Sequence, residues 1–238
     1  MANTAVNPLM PTPTILPLPP QIAALPSIEL VEDFRRTQIC VPGYATSTYG
    51  KLRRAMGRGY LQRNGWRVVG ALPDVPRVVL VCAPHTSNWD FAIMVALMRA
   101  VDIDPVWVGK DTLFRPPFGK LTQALGGIAV QRGAKANQSQ MIADALQRFD
   151  QCMLAIAPEG TRRLAKRWKS GFWHIAKAAK VPIVLGFVDY NRKLIGFGPI
   201  IEPGETIEAD FGQIEAFYAG VLGKFAAQQG PVTLQAQS

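Results

Sequence analysis

Short apolar runs alternate with amphipathic stretches from about residue 65 onward. Runs at 66–69, 77–83, 106–109, 128–131, 152–157, 183–188 and 194–197 predict strands, because they are β-rich and bounded by turn formers or charge. Several are apolar at successive positions, as in Val78-Val79-Leu80-Val81. A strand reads that way when both of its faces are buried. Helical spacing covers 87–100, 118–125, 137–149 and 168–180, and a last helix is predicted over 212–228. This alternation predicts a single α/β domain over 65–238, with a mainly parallel central sheet flanked by helices. Residues 29–64 read as a basic, partly helical segment, with Lys51 to Met56 followed by Gly57 and Gly59. Residues 1–28 hold seven prolines and no charge, and are expected to form an extended or disordered tail. No internal repeat is found.

Composition narrows the class. A chain of 238 residues, 48% hydrophobic and 18% charged, suits one folded domain and excludes wholesale disorder. No run approaches the roughly 20 apolar residues that span a bilayer. No basic stretch precedes an apolar core near the start, so a secretory signal is not expected. Cys82 and Cys152 sit in apolar runs, as small hydrophobes of a reducing compartment. The expected location is cytoplasmic, peripheral on the cytoplasmic face of a membrane.

The net charge of +9 is concentrated. Residues 35–67 carry eight basic side chains and no acids, and residues 159–193 carry nine basic and two acidic ones. Such zones suit an anionic partner or a solvated face. Tyr49, Tyr60 and Trp66 interleave with the first zone, as in a helix resting on anionic lipid. A single-stranded nucleic-acid surface has a similar composition, but no recognition motif accompanies it, and no nucleic-acid partner is expected.

In a parallel sheet the chemistry collects at the carboxyl ends of the strands. Four predicted exits carry chemically able residues: Ala83-Pro84-His85, Gly109-Lys110, Gln131-Arg132 and Ala157-Pro158-Glu159. His85 and Asp90 are five residues apart, which in one continuous helix leaves them about 140° apart. They meet only if His85 lies in the loop and Asp90 in the first helical turn. Ser87 is a good N-cap, which puts Asp90 at the third helical position. A carboxylate on one imidazole nitrogen would fix the tautomer and make the other nitrogen a general base. Alternatively, Asp90 only caps the helix and His85 is a polar loop residue.

Ala157-Pro158-Glu159-Gly160-Thr161-Arg162 ends a strand in a tight turn with a hydroxyl and a guanidinium. By composition this is an anion site, or else a polar turn with a basic flank. Lys110 and Arg132 are two further cations at strand ends. Trp168, Phe172 and Trp173 suit either an acyl pocket or the core, and His174 reads as structural. The histidines and cysteines lack metal-ligand spacing, so no metal is expected.

Taken together these blocks resemble the glycerolipid acyltransferase family, of the lysophosphatidic acid acyltransferase type. His85 and Asp90 match its His-x4-Asp block. Lys110, Pro117 to Gly119 and Arg132 match its second block, Pro158 to Arg162 its Pro-Glu-Gly-Thr-Arg block, and Val181-Pro182-Ile183 its fourth. The resemblance implies a glycerolipid acyltransferase-like fold and acyl transfer from an acyl thioester, acyl-CoA or acyl-ACP, to the hydroxyl of a lysophospholipid. It implies that His85 and Asp90 carry catalysis and that Lys110, Arg132, Glu159, Gly160, Thr161 and Arg162 bind the acceptor. Glu159 would repel a phosphate, so it is expected to pair with a cation such as Arg132. No cofactor beyond the co-substrate is implied. Where many relatives have Asp before the second-block Arg, this chain has Gln131. The rival readings are a serine hydrolase or thioesterase, which lacks Gly-x-Ser-x-Gly here, and a non-catalytic peripheral lipid-binding module.

Overall fold

The computed structural model describes residues 19–27, 47–130 and 138–234. Seven strands form one sheet in the order β1-β7-β6-β2-β5-β3-β4. They are β1 (Arg67–Gly70), β2 (Arg77–Ala83), β3 (Val106–Lys110), β4 (Gly127–Val130), β5 (Cys152–Ile156), β6 (Ile183–Asp189) and β7 (Leu194–Ile201). Strands β6, β2, β5, β3 and β4 run parallel. Strand β7 returns antiparallel to β6 through a tight hairpin, and β1 runs parallel to β7. The mainly parallel α/β sheet expected from the sequence is the one observed.

The apolar run in β2 has the predicted cause. Val78 and Leu80 face one core, while Val79, Val81 and Ala83 face the other. One layer holds α2 (Thr48–Arg63) and α3 (Asn88–Ala100). The other holds α5 (Gln138–Gln147), α6 (Gly171–Ala179) and α7 (Ile207–Tyr218). Two short helices, α1 (Pro20–Ala23) and α4 (Gly119–Ala124), complete the set. Trp168, Phe172 and Trp173 are core residues, and the Trp173 indole donates to Asp210 at 2.7 Å.

Three expectations are corrected. Residues 19–27 are not a loose tail. Ile22 is buried, the Gln21 amide donates to the carbonyls of Ala216, Phe217 and Ala219, and Ser27 pairs with Val69. Residues 1–18 and 28–46 lie outside the described residues. Helix α2 is not a separate segment, because it packs on α3. At Gly57 an added Cβ would lie 2.5 Å from the Ala96 carbonyl, so only glycine permits this approach. Arg54 of α2 is buried in an ion pair with Asp102. The last helix starts earlier and stops sooner than predicted. Thr206 caps it, its hydroxyl accepting from Ala209 N–H at 3.4 Å, and Gly220 at φ +78° leaves the helical path.

The chain then becomes a strap. Residues 220–234 cross the loops that follow β2 and β5. Phe225 N–H donates to the Thr86 hydroxyl at 3.3 Å, and Trp168 N–H donates to the Thr233 carbonyl at 2.7 Å. At Gly223 an added Cβ would lie 2.8 Å from the Thr86 hydroxyl oxygen.

Candidate active site

Adjacent parallel strands bring the site together. Val81 of β2 stands level with Ile156 of β5, so His85 and Glu159 leave the sheet side by side. Ser87 has extended dihedrals and caps α3, its hydroxyl accepting from Trp89 N–H at 3.1 Å. Asp90 answers from the third helical position, its Oδ2 accepting from Ser87 N–H and Thr86 N–H, each at 2.8 Å. This reciprocal cap folds the loop back over the helix end, where the helix dipole also favours a carboxylate.

The predicted proximity is present. His85 Nδ1 lies 3.3 Å from Asp90 Oδ2. Asp90 is buried, whereas the His85 side chain is 28% exposed. Asp90 therefore caps and also touches the imidazole, so the two readings of this residue are not exclusive. Ser87 is buried and committed to the cap, and among the described residues its hydroxyl makes no bond to His85. That leaves the serine-hydrolase reading without a free nucleophile at this position.

Glu159 makes a contact that the sequence did not indicate. Its carboxylate turns inward, and both oxygens accept from the His85 backbone N–H, at 3.0 and 3.1 Å. Burial pushes its carboxyl up to about 7, against the opposing pull of that N–H. Its expected partner Arg132 lies outside the described residues. Gly160 follows at φ +64°, a left-handed turn that aims the chain outward. Thr161 and Arg162 are exposed, and the Thr161 hydroxyl accepts from Arg163 N–H at 3.2 Å. Lys110 is exposed at the end of β3. Among the described residues, neither Lys110 nor the Arg162 guanidinium is held by an ion pair.

The strap joins the two loops. With its amide nitrogen turned toward them, Gln228 donates to the carbonyls of Thr86 at 2.9 Å and Arg162 at 2.6 Å. A small pocket beneath is lined by Pro84, Glu159, Trp168, Tyr218 and Gln229, and the His85 ring is not part of its wall. Cys82 offers no nucleophile. Burial, followed by the charge of Glu159, pushes its thiol up to about 12.

Two neighbours of the pair were not singled out in the sequence. The Tyr190 hydroxyl donates to Asp90 Oδ1 at 2.7 Å. Lys224 Nζ stands 5.2 Å from the Trp89 ring centre and 5.7 Å from that of Tyr190. Tyr190 had a legible signal. It follows β6, the fifth parallel strand, at the same carboxyl edge as the four exits that carry the predicted residues.

Comparison with known proteins gives a family match and a fold match. A family model described as Acyltransferase matches residues 67–184, the span that holds every predicted site residue. A search of curated proteins finds no significant match. The fold is similar to the crystal structure of the 1-acyl-sn-glycerophosphate (LPA) acyltransferase, PlsC, from Thermotoga maritima. The TM-score is 0.52 and the identity 16%, with 73% of this chain and 78% of that chain covered. Such low identity speaks for the fold alone. The matched domain is thus that of an acyltransferase. Residues 67–184 match the Acyltransferase family, and the likeness to a glycerophosphate acyltransferase is one of fold.

Proposed function

We propose that the protein moves a fatty acyl group from an acyl thioester, carried by coenzyme A or acyl carrier protein, to the hydroxyl of a lysophospholipid such as 1-acyl-glycerol-3-phosphate. The observation that carries this reading is the partly open His85 in contact with the buried, multiply bonded Asp90. A base without a nucleophile of its own needs one from the substrate. His85 takes the proton of the acceptor hydroxyl as that oxygen bonds to the thioester carbonyl carbon. The carbon–sulfur bond then breaks, and the imidazolium returns the proton to the leaving thiolate. Asp90 orients the ring and stabilises its charged form.

Gly160, Thr161 and Arg162, with Lys110 and Arg132, bind the acceptor phosphate. A guanidinium is suited to that task because it meets two phosphate oxygens at once. Glu159 serves binding and catalysis indirectly, holding the His85 backbone at the root of the same turn. An anionic membrane surface supplies the lipid. Helix α2 supports this, since it exposes Tyr49, Leu52 and Met56 beside Lys51 and Arg63. Among the described residues, no helix is long and apolar enough to cross a membrane.

The test is direct. Purified protein is incubated with labelled acyl-CoA or acyl-ACP and a panel of lysolipids, and the products are identified by mass. The reading requires a diacyl product and one free thiol per transfer. Free fatty acid at the same rate with or without acceptor would instead identify a thioesterase.

A further inference from the structure

We infer that Tyr190 is a positioning residue of the catalytic pair, fixing the Asp90 carboxylate so that it meets the His85 imidazole. This rests on the proposed role of His85 as base. The argument begins with the two oxygens of Asp90. Oδ2 accepts from Thr86 N–H and Ser87 N–H and lies 3.3 Å from His85 Nδ1. All of these groups belong to the same short loop. Oδ1 accepts from the Tyr190 hydroxyl at 2.7 Å, across 100 residues of sequence.

A buried carboxylate oxygen left without a donor is costly, and hydrogen bonds to charged groups are the stronger kind. Two donors converging on Oδ2 leave the group free to pivot about that atom. A third donor on Oδ1, from another part of the fold, fixes the plane of the carboxylate. That plane decides whether Oδ2 remains aimed at the imidazole.

The sheet delivers Tyr190 to this place. Strands β2 and β6 are parallel neighbours, with Ala83 level with Phe187. His85 lies two residues beyond the first and Tyr190 three beyond the second, at the same carboxyl edge. The phenol is itself braced. Its ring meets Trp66 edge to face at 5.2 Å, and the Tyr190 backbone N–H donates to the Leu222 carbonyl at 2.9 Å. Burial, and then the bond to Asp90, raise its pKa well above the ordinary value. The hydroxyl therefore remains a donor wherever the enzyme works. Lys224 stands over the ring rather than at the hydroxyl, so it does not replace this donor.

Tyr190→Phe removes one oxygen and keeps the ring. The kcat for acyl transfer should fall about tenfold or more, as loss of a charged hydrogen bond implies, with KM for donor and acceptor within about twofold. In an Asp90→Asn background the same change should cost less than about twofold, because its target is gone. A readout independent of turnover is the imidazole nitrogen–proton spectrum, which is simple because the chain has two histidines. His174→Gln assigns the other signal. Tyr190→Phe should shift the His85 signal, while Tyr190→Leu tests whether the ring alone matters. An unchanged His85 signal with wild-type kcat in Tyr190→Phe overturns the inference, as do equal losses in both backgrounds. If Asp90→Asn itself leaves kcat at the wild-type value, the base reading falls and this inference falls with it. If Asp90→Asn is severe and Tyr190→Phe silent, only this inference falls.

Discussion

The two halves of the site differ in how much of their geometry exists before a substrate arrives. On one side Asp90 and Glu159 are buried, and every contact that positions them is already made: two backbone N–H groups, a phenol and an imidazole for Asp90, and the His85 N–H for Glu159. On the other side Lys110, Thr161 and Arg162 stand in solvent. The acid half had to be organised by folding, since a charge can be buried only with its partners in place. The cationic half remains hydrated, and the ligand it awaits supplies the missing contacts. On the proposed function, one half would govern rate and the other affinity.

Substitutions can break that division. His85→Ala should lower kcat by ~10²-fold to ~10⁴-fold, the contribution of a general base, while leaving vesicle association intact. A rise in KM alone would mean that the halves have been assigned the wrong way round. Glu159→Gln probes the acid half through stability. Its carboxyl titrates near 7 in the folded protein against 4.5 in the ordinary state, so between those values the unfolded chain gives up its proton first. Stability contributed by this group is therefore present at low pH and falls as pH rises from about 4.5 to 7, by up to roughly 3 kcal/mol. Denaturant unfolding at pH 5 and pH 8 should show Glu159→Gln gaining on the wild type at the higher pH. A difference independent of pH would place the carboxylate in a more polar setting than its burial indicates.

Arg162→Ala should raise KM for the acceptor about tenfold, with kcat altered by no more than a few-fold. An effect confined to the thioester's KM would move Arg162 to the donor side. The smallest effect belongs to α2. Leu52→Ser with Met56→Ser should weaken binding to anionic vesicles a few-fold, with unfolding unchanged because both side chains are already exposed. Sedimentation with vesicles at two salt concentrations separates this apolar share from the basic one.

Much of the fold was legible because burial on both faces leaves an unbroken apolar run, and β2, β5 and β6 at the centre of the sheet are such runs. The His85–Asp90 contact was legible because Pro84, Ser87 and the five-residue spacing allow only one arrangement in which the pair meets. The bond between Glu159 and the His85 N–H was not legible, for a physical reason. The sequence neighbours of Glu159 are cations, but its partner in space comes from β2, and only strand order reveals that. Residues 219–228 look helical because Ala, Gln and Lys favour helix, yet long-range bonds to Thr86 and Arg162 pull them into a strap. Tyr190 sits in a hairpin turn among Asp189, Asn191 and Arg192, and only its place just beyond the carboxyl end of a parallel strand marks it out.

Gln228 belongs to neither motif, yet one planar amide measures out the gap between Thr86 and Arg162. The mouth of the site thus has a ruler, held in the last part of the chain. A shorter rung, as in Gln228→Asn, must either draw the two rims together or let one go. On the proposed function, the span between base and phosphate site can therefore be changed without altering a residue assigned to the substrate.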